Sequence, residues 1–102
     1  MFDDLTFTQV EGTLNQPKLT LMALSTCGFC RKAQGFLEDR GWAYQFIHLD
    51  LIDPEIKIKV KEEFFSNFKK VLSYPTLIVG EKDFIVGFVR ETWEEKLREI
   101  YA

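Results

Sequence analysis

The chain is poor in metal-ligand residues. It carries two cysteines, Cys27 and Cys30, and one histidine, His48. A structural zinc site takes four ligands, usually drawn from cysteine and histidine, so no complete metal site within one chain is expected. A basic block is missing as well. With 13 Lys and Arg against 16 Asp and Glu the net charge is −3, which speaks against a nucleic-acid partner. No apolar run approaches the roughly 20 residues that a bilayer-spanning helix needs. Met1-Phe-Asp-Asp4 lacks the basic start of a secretory signal. The expectation is a chain without membrane association, in a reducing cytoplasm. There, vicinal cysteines cycle between redox states more often than they brace a fold. Internal repeats, low-complexity stretches and interdomain linkers are all missing.

What is present fits one domain of 102 residues, with 46% apolar residues and ten phenylalanines to build a core. Leu5 to Val10 alternates in part and reads as an extra edge strand or an extended arm. Residues 1–17 are accordingly set apart from a main domain of 18–102. Gly12 to Pro17 is a turn. Lys18 to Leu24 reads as a buried strand. The next helix is expected from about Cys27 to Arg40, with Phe29, Ala33, Phe36 and Leu37 at helical spacing. Gly41 is placed to end it in a left-handed turn. Ala43 to Leu49 is a second strand. Asp53-Pro54 has the form of an N-cap followed by proline at the first helical position.

The following segment carries two periods. Ile56, Ile58 and Val60 alternate with lysines, as in a strand. Ile56, Val60, Phe64, Phe68 and Val71 keep helical spacing over a longer stretch, which favours a helix over 54–72. Thr76 to Gly80 and Phe84 to Val86 are the last strands. Thr92-Trp-Glu-Glu95 has capping-box spacing for a final helix with Trp93, Leu97 and Ile100 on its apolar face. The order β-α-β-α-β-β-α puts two parallel strands and an antiparallel hairpin into one mixed sheet, an α/β fold.

Cys27-Gly28-Phe29-Cys30 falls at the join between the first core strand and its helix. A thiol there faces unpaired backbone N–H groups and the positive end of the helix dipole, which favour thiolate. Thiolate is the species that attacks disulfides. Cys30, one turn along, can reach back to close a disulfide. The alternatives are a structural disulfide, a zinc half-site and two inert core cysteines. So short a loop stabilises little by cross-linking. C-x-x-C beside a βαβ pattern reads as a redox motif.

Three landmarks then line up: Ser25-Thr-Cys-Gly-Phe-Cys-Arg31, Ser73-Tyr-Pro-Thr76 and Ile85-Val-Gly-Phe88. Together they resemble the glutaredoxin branch of the thioredoxin superfamily, in particular small bacterial and archaeal glutaredoxin-like proteins with a Val-Gly-Phe segment. The resemblance covers roughly residues 18–101. It implies a thioredoxin fold, with a mixed four-stranded sheet and helices on both faces. It also implies a dithiol oxidoreductase, with Cys27 as nucleophile and Cys30 as resolving thiol. Pro75 would be the cis-proline facing the cysteines, turning the Tyr74 backbone toward an extended substrate. Tyr74, Thr76, Gly87 and Phe88 would flank that substrate.

Glutathione users of the family often carry a lysine where Leu24 stands, and a Gly-Gly pair where this chain has Gly87-Phe88. The bulk of Phe88 would fill space that glutathione needs. The resemblance therefore implies no tightly bound cofactor, and either glutathione or a thioredoxin-reductase-type flavoenzyme as external reductant. Arg90 is a second route to a glutathione carboxylate. The expected partners are a disulfide-containing protein and a reductant, and the expected state is a monomer. The alternative is an iron–sulfur cluster glutaredoxin using Cys27 and glutathione in a dimer.

The remaining residues divide simply. Phe29 reads as a substrate contact. Arg31 and Lys32 read as a solvated helix face that could also steady a thiolate. Trp42 and Trp93 read as core. His48 has no evident catalytic partner, and the lysines from Lys57 to Lys70 read as a solvated face.

Overall fold

In the computed structural model, Phe2 and residues 5–101 are described; Met1, Asp3, Asp4 and Ala102 lie outside the described residues. The strands are β1 (Thr8–Val10), β2 (Leu19–Ala23), β3 (Tyr44–His48), β4 (Thr76–Val79) and β5 (Asp83–Val86). The helices are α1 (Gly28–Asp39), α2 (Pro54–Phe68) and α3 (Arg90–Tyr101), with a 3-10 turn at Leu49–Leu51. The sheet order is β1-β3-β2-β4-β5. β2 and β3 run parallel, and every other neighbouring pair is antiparallel. The expected mixed sheet is present, extended by β1 as a fifth strand.

Alternation along β2 divides the core in two. Leu19, Leu21 and Ala23 join Phe36 and Leu37 of α1 and Trp93 and Leu97 of α3. Met22, with Ile47 of β3 and Ile78 of β4, joins Val60 and Phe64 of α2. Successive strand side chains point to opposite faces, so α1 and α3 cover one face and α2 the other. Central placement buries all five β2 residues, as expected for an uninterrupted apolar run. A polar chain crosses the sheet as well: Gln9 Nε2 donates to Gln45 Oε1 at 2.8 Å, and Gln45 Nε2 donates to Thr20 Oγ1 at 3.0 Å. Those bonds satisfy amides that burial would otherwise penalise.

The double period of residues 56–71 resolves as a helix. Val60 and Phe64 are buried while Ile58 is exposed, so the longer helical spacing prevails. Asp53 caps it through a 2.8 Å bond from Glu55 N–H, with Pro54 at the first position. The helix stops at Phe68, short of the expected residue 72. Lys69 takes the left-handed conformation (φ +59°) and donates its N–H to Phe65 O at 2.8 Å. The chain must leave the helix there to reach Pro75, so Val71 is 77% exposed rather than part of the apolar face. α3 begins at Arg90, and the capping box at Thr92 is unused. Trp93 N–H bonds Val89 O at 3.0 Å, and the Trp93 indole N–H bonds Gly87 O at 2.9 Å. Anchoring of Trp93 in the core thus sets the start of this helix.

The segment before β2 is tied to the α1–β3 connection. Thr13 N–H donates to Gly41 O at 2.7 Å, and Ala43 N–H donates to Leu14 O at 2.8 Å. A Cβ on Gly12 would lie 2.4 Å from Ala43 N, so only glycine allows this approach. Gly41 ends α1 at φ +69°, as expected. Trp93 is fully buried, whereas Trp42 is half-buried against the edge of Phe36, with ring centroids 6.1 Å apart. Among the described residues no helix is long and apolar enough to cross a membrane.

Phe64 is the keystone of the α2 face. It is fully buried, with ring centroids 4.8 Å from Phe68 and 5.8 Å from Phe84. Phe64→Ala is expected to cost about 3–5 kcal/mol, the range for truncating a core aromatic. Urea unfolding would show it as a lower midpoint at unchanged slope.

Candidate active site

The site forms at the carboxyl end of β2. Cys27 is the N-cap of α1, with extended backbone (φ −90°, ψ 116°), and its Sγ accepts the Cys30 N–H at 3.2 Å. The thiol takes the place that a serine or aspartate oxygen fills in ordinary caps. Its own N–H donates to Leu24 O at 3.3 Å, and Arg31 N–H donates to Cys27 O at 3.2 Å. Both cysteines are free thiols; Cys27 is half-buried and Cys30 is buried against the core. Burial pushes the Cys30 thiol up to about 12, helped by its hydrogen bond with Cys27 and by the charges of Cys27 and Asp50; a backbone hydrogen bond from Leu24 opposes the rise. The pair therefore differs in access, and only Cys27 reaches solvent. Iodoacetamide is expected to modify Cys27 first, with Cys30 lagging by more than about tenfold, since reaction needs both access and thiolate. Peptide mapping of partly alkylated protein would check the order, and earlier labelling of Cys30 would overturn it.

Just before β4, the Tyr74–Pro75 peptide is cis, as the resemblance implied. Pro75 O accepts the Gly87 N–H at 2.7 Å, which joins the second and third landmarks. Tyr74 packs against the core that holds Cys30. Its hydroxyl is buried without a hydrogen-bond partner. Burial raises its phenol, and the charges of Asp50 and Cys30 raise it further. Thr76 is fully buried, its hydroxyl donating to Ser73 O at 2.7 Å, so its side chain braces the loop. Phe29 is 60% exposed, with the Lys32 ammonium 5.5 Å from its ring centroid.

Phe88 is half-buried. Its ring packs on Trp93 and Phe36, with centroids at 4.9 and 5.8 Å. Those contacts seat the ring against the core that also carries Cys27. Leu24 packs against the α2-side core. Arg90 lies over the Phe36 ring and pairs with Glu94 at 3.5 Å.

The sequence reading missed Asp50. This exposed residue accepts the Ser25 N–H at 2.9 Å on one oxygen and the Ser25 hydroxyl on the other. These bonds, the hydroxyl's first, hold its carboxyl below the usual range, with a smaller contribution from His48. The signal lay in the topology. β3 runs parallel beside β2, and Ala23 pairs with His48, so residues just past both strand ends meet at the carboxyl edge, where ligands of such sheets bind.

A dithiol at a helix start, with a cis-proline leading into the strand beside β2 on a mixed sheet, defines a thiol–disulfide redox site of the thioredoxin type. The profile of the Glutaredoxin family matches residues 19–85, and the chain belongs to the glutaredoxin family. It is a dithiol-type thiol–disulfide oxidoreductase with the Cys27/Cys30 pair. Among solved structures it is similar to Methanosarcina acetivorans methanoredoxin, at 30% identity over 92% of this chain and 96% of that one, with a TM-score of 0.76. The glutaredoxin from Methanosarcina mazei Go1 matches at 28% identity over 89% and 86%, with a TM-score of 0.75. The Archaeoglobus fulgidus glutaredoxin matches at 28% over 78% and 85%, with a TM-score of 0.68. No curated protein matches.

Proposed function

We propose that Cys27 is the attacking thiol and Cys30 the resolving thiol, and that the substrate is a protein disulfide. The asymmetry of the pair carries this reading: Cys27 reaches solvent and Cys30 is 1% exposed behind it. Cys27 thiolate attacks one sulfur of the substrate disulfide, forms a mixed disulfide and releases a substrate thiolate. Two of the causes that raise Cys30 arise from Cys27 itself. In the mixed disulfide Cys27 no longer carries charge, so Cys30 loses its proton more readily at the stage that requires it. Cys30 then attacks Cys27 Sγ, releases the second substrate thiol and leaves the intramolecular disulfide.

Tyr74, Pro75 and Gly87 frame the approach of the substrate, with Phe29 as an exposed apolar contact. Residues 18–102 are the catalytic unit, and the segment before them supplies the extra edge strand β1. The protein works as a monomer in a reducing cytoplasm, where a free, accessible dithiol persists. A thioredoxin-reductase-type flavoenzyme recycles it in preference to glutathione. Leu24 offers no positive charge at the cysteine loop, and Arg90 is already engaged by Glu94.

The test of the two-thiol roles is Cys30→Ser incubated with a disulfide-bonded protein. Mass spectrometry should find a stable adduct on Cys27 that dithiothreitol releases. An adduct formed equally by Cys27→Ser would overturn the assignment.

A further inference from the structure

Asp50 places a fixed negative charge at the mouth of the site. Two bonds from Ser25, two residues before Cys27, hold both carboxylate oxygens. The side chain is exposed, and among the described residues no Lys or Arg forms an ion pair with it. Its charge reaches both Cys30 and Tyr74, so it lies close to the cysteine pair and the loop before β4. Asp50 lies in the 3-10 turn after β3, and on that segment the charged group acting on it is His48, the last residue of β3. Arg31 and Lys32, just after the cysteines on α1, are the nearest cations by sequence on the opposite side, and Lys32 is drawn over Phe29.

We infer that Asp50 is a specificity-determining residue of the disulfide-reducing site, selecting disulfides flanked by positive charge and disfavouring anionic ones such as oxidised glutathione. The inference deepens the proposed reaction and rests on attack by Cys27. Charge near a site mouth alters encounter and binding more than it alters the chemical step. Substrates of equal size and different charge should therefore be separated by this one carboxylate. Clamping by Ser25 sharpens the effect, because a fixed charge cannot swing away from an unfavourable ligand. Asn at this position keeps an oxygen to accept the Ser25 N–H while losing the charge.

The experiment uses protein reduced with dithiothreitol and freed of it, so the outcome does not depend on the physiological reductant. Single-turnover rates are measured with cystamine (cationic), bis(2-hydroxyethyl) disulfide (neutral) and dithiodiglycolate (anionic). In each case Cys27 thiolate attacks one sulfur, the S–S bond breaks and one small thiolate leaves; Cys30 then displaces the second. The quantity read is the cation-to-anion rate ratio. Asp50→Asn should lower it about 5- to 10-fold at low salt, as expected for one unit charge acting on both ligands in a partly solvated site. Glu11→Gln, which makes the same change in net charge beside Leu19 at the far end of β2, should leave it unchanged.

Raising ionic strength from about 0.02 to 0.5 M should shrink the wild-type ratio toward that of Asp50→Asn, since screening shortens the reach of the charge. A ratio shifted less than threefold by Asp50→Asn, or matched by Glu11→Gln, would overturn the inference. Should Asp50→Asn fail to fold, the wild-type salt series decides, and a ratio insensitive to salt overturns it. Failure of all three disulfides to react would instead refute attack by Cys27.

Discussion

Cys27→Ser is expected to lose disulfide reduction by on the order of 10³-fold or more, a loss typical of removing an enzymatic nucleophile. A serine hydroxyl in the N-cap position still accepts the Cys30 N–H, so the helix start should survive and the fold with it. What disappears is the thiolate. The remaining thiol cannot take over, because Cys30 is buried and its proton affinity is raised. Insulin-disulfide turnover, with circular dichroism as a check on folding, measures the effect. Cys30→Ser should behave differently: it keeps the first attack and stalls at the mixed disulfide, so a burst of one equivalent of released thiol precedes arrest. Adding glutathione should not restore turnover, since an external thiol must reach Cys27 Sγ through a mouth with no dedicated cation at Leu24. Equal activities of the two variants would exclude the two-step scheme.

The same residues explain how far the sequence could be read. Lys18 to Leu24 and the pattern Ala33, Phe36, Leu37 specify β2 and α1, because each is a local pattern that burial enforces. The cysteine pair was legible for the same reason: the end of the strand, the break and the start of the helix adjoin in the chain. Element ends were not. α2 ends where Lys69 turns left-handed to let the chain reach Pro75, and α3 starts where Trp93 finds Gly87 O. Both are decided by contacts between segments.

Phe29 did not follow its helical spacing into the core: in the first turn of α1 its ring is 60% exposed. Phe88 was read by its bulk alone, whereas its direction is set by packing on Trp93 and Phe36. Asp50 stood 25 positions from Ser25, with nothing in either neighbourhood to mark it. Only the parallel pairing of β2 with β3 brings the two together. Long-range register is what a single chain of letters conceals.

NADPH oxidation is expected to run at least about tenfold faster through a thioredoxin reductase than through glutathione and its reductase. Tenfold corresponds to about 1.4 kcal/mol of transition-state preference. Glutathione carries two carboxylates, and a carboxylate taken from water without a charged or hydrogen-bonding partner loses more than it gains. At the cysteine loop the side chain available to meet one is Leu24, packed on the α2-side core. Asp50, beside it, adds repulsion. Phe88 is held by Trp93 and Phe36, and the preference rests first on missing attraction. Arg90 is the cation placed to offset this, and it is shared between the Phe36 ring and Glu94. Glu94→Gln would free it. The ratio of the two coupled rates, measured with a thioredoxin reductase from the same source, should then move toward glutathione while the flavoenzyme rate holds. Faster turnover with glutathione in the wild-type protein, abolished by Arg90→Ala, would refute the reductase assignment and make Arg90 the glutathione anchor.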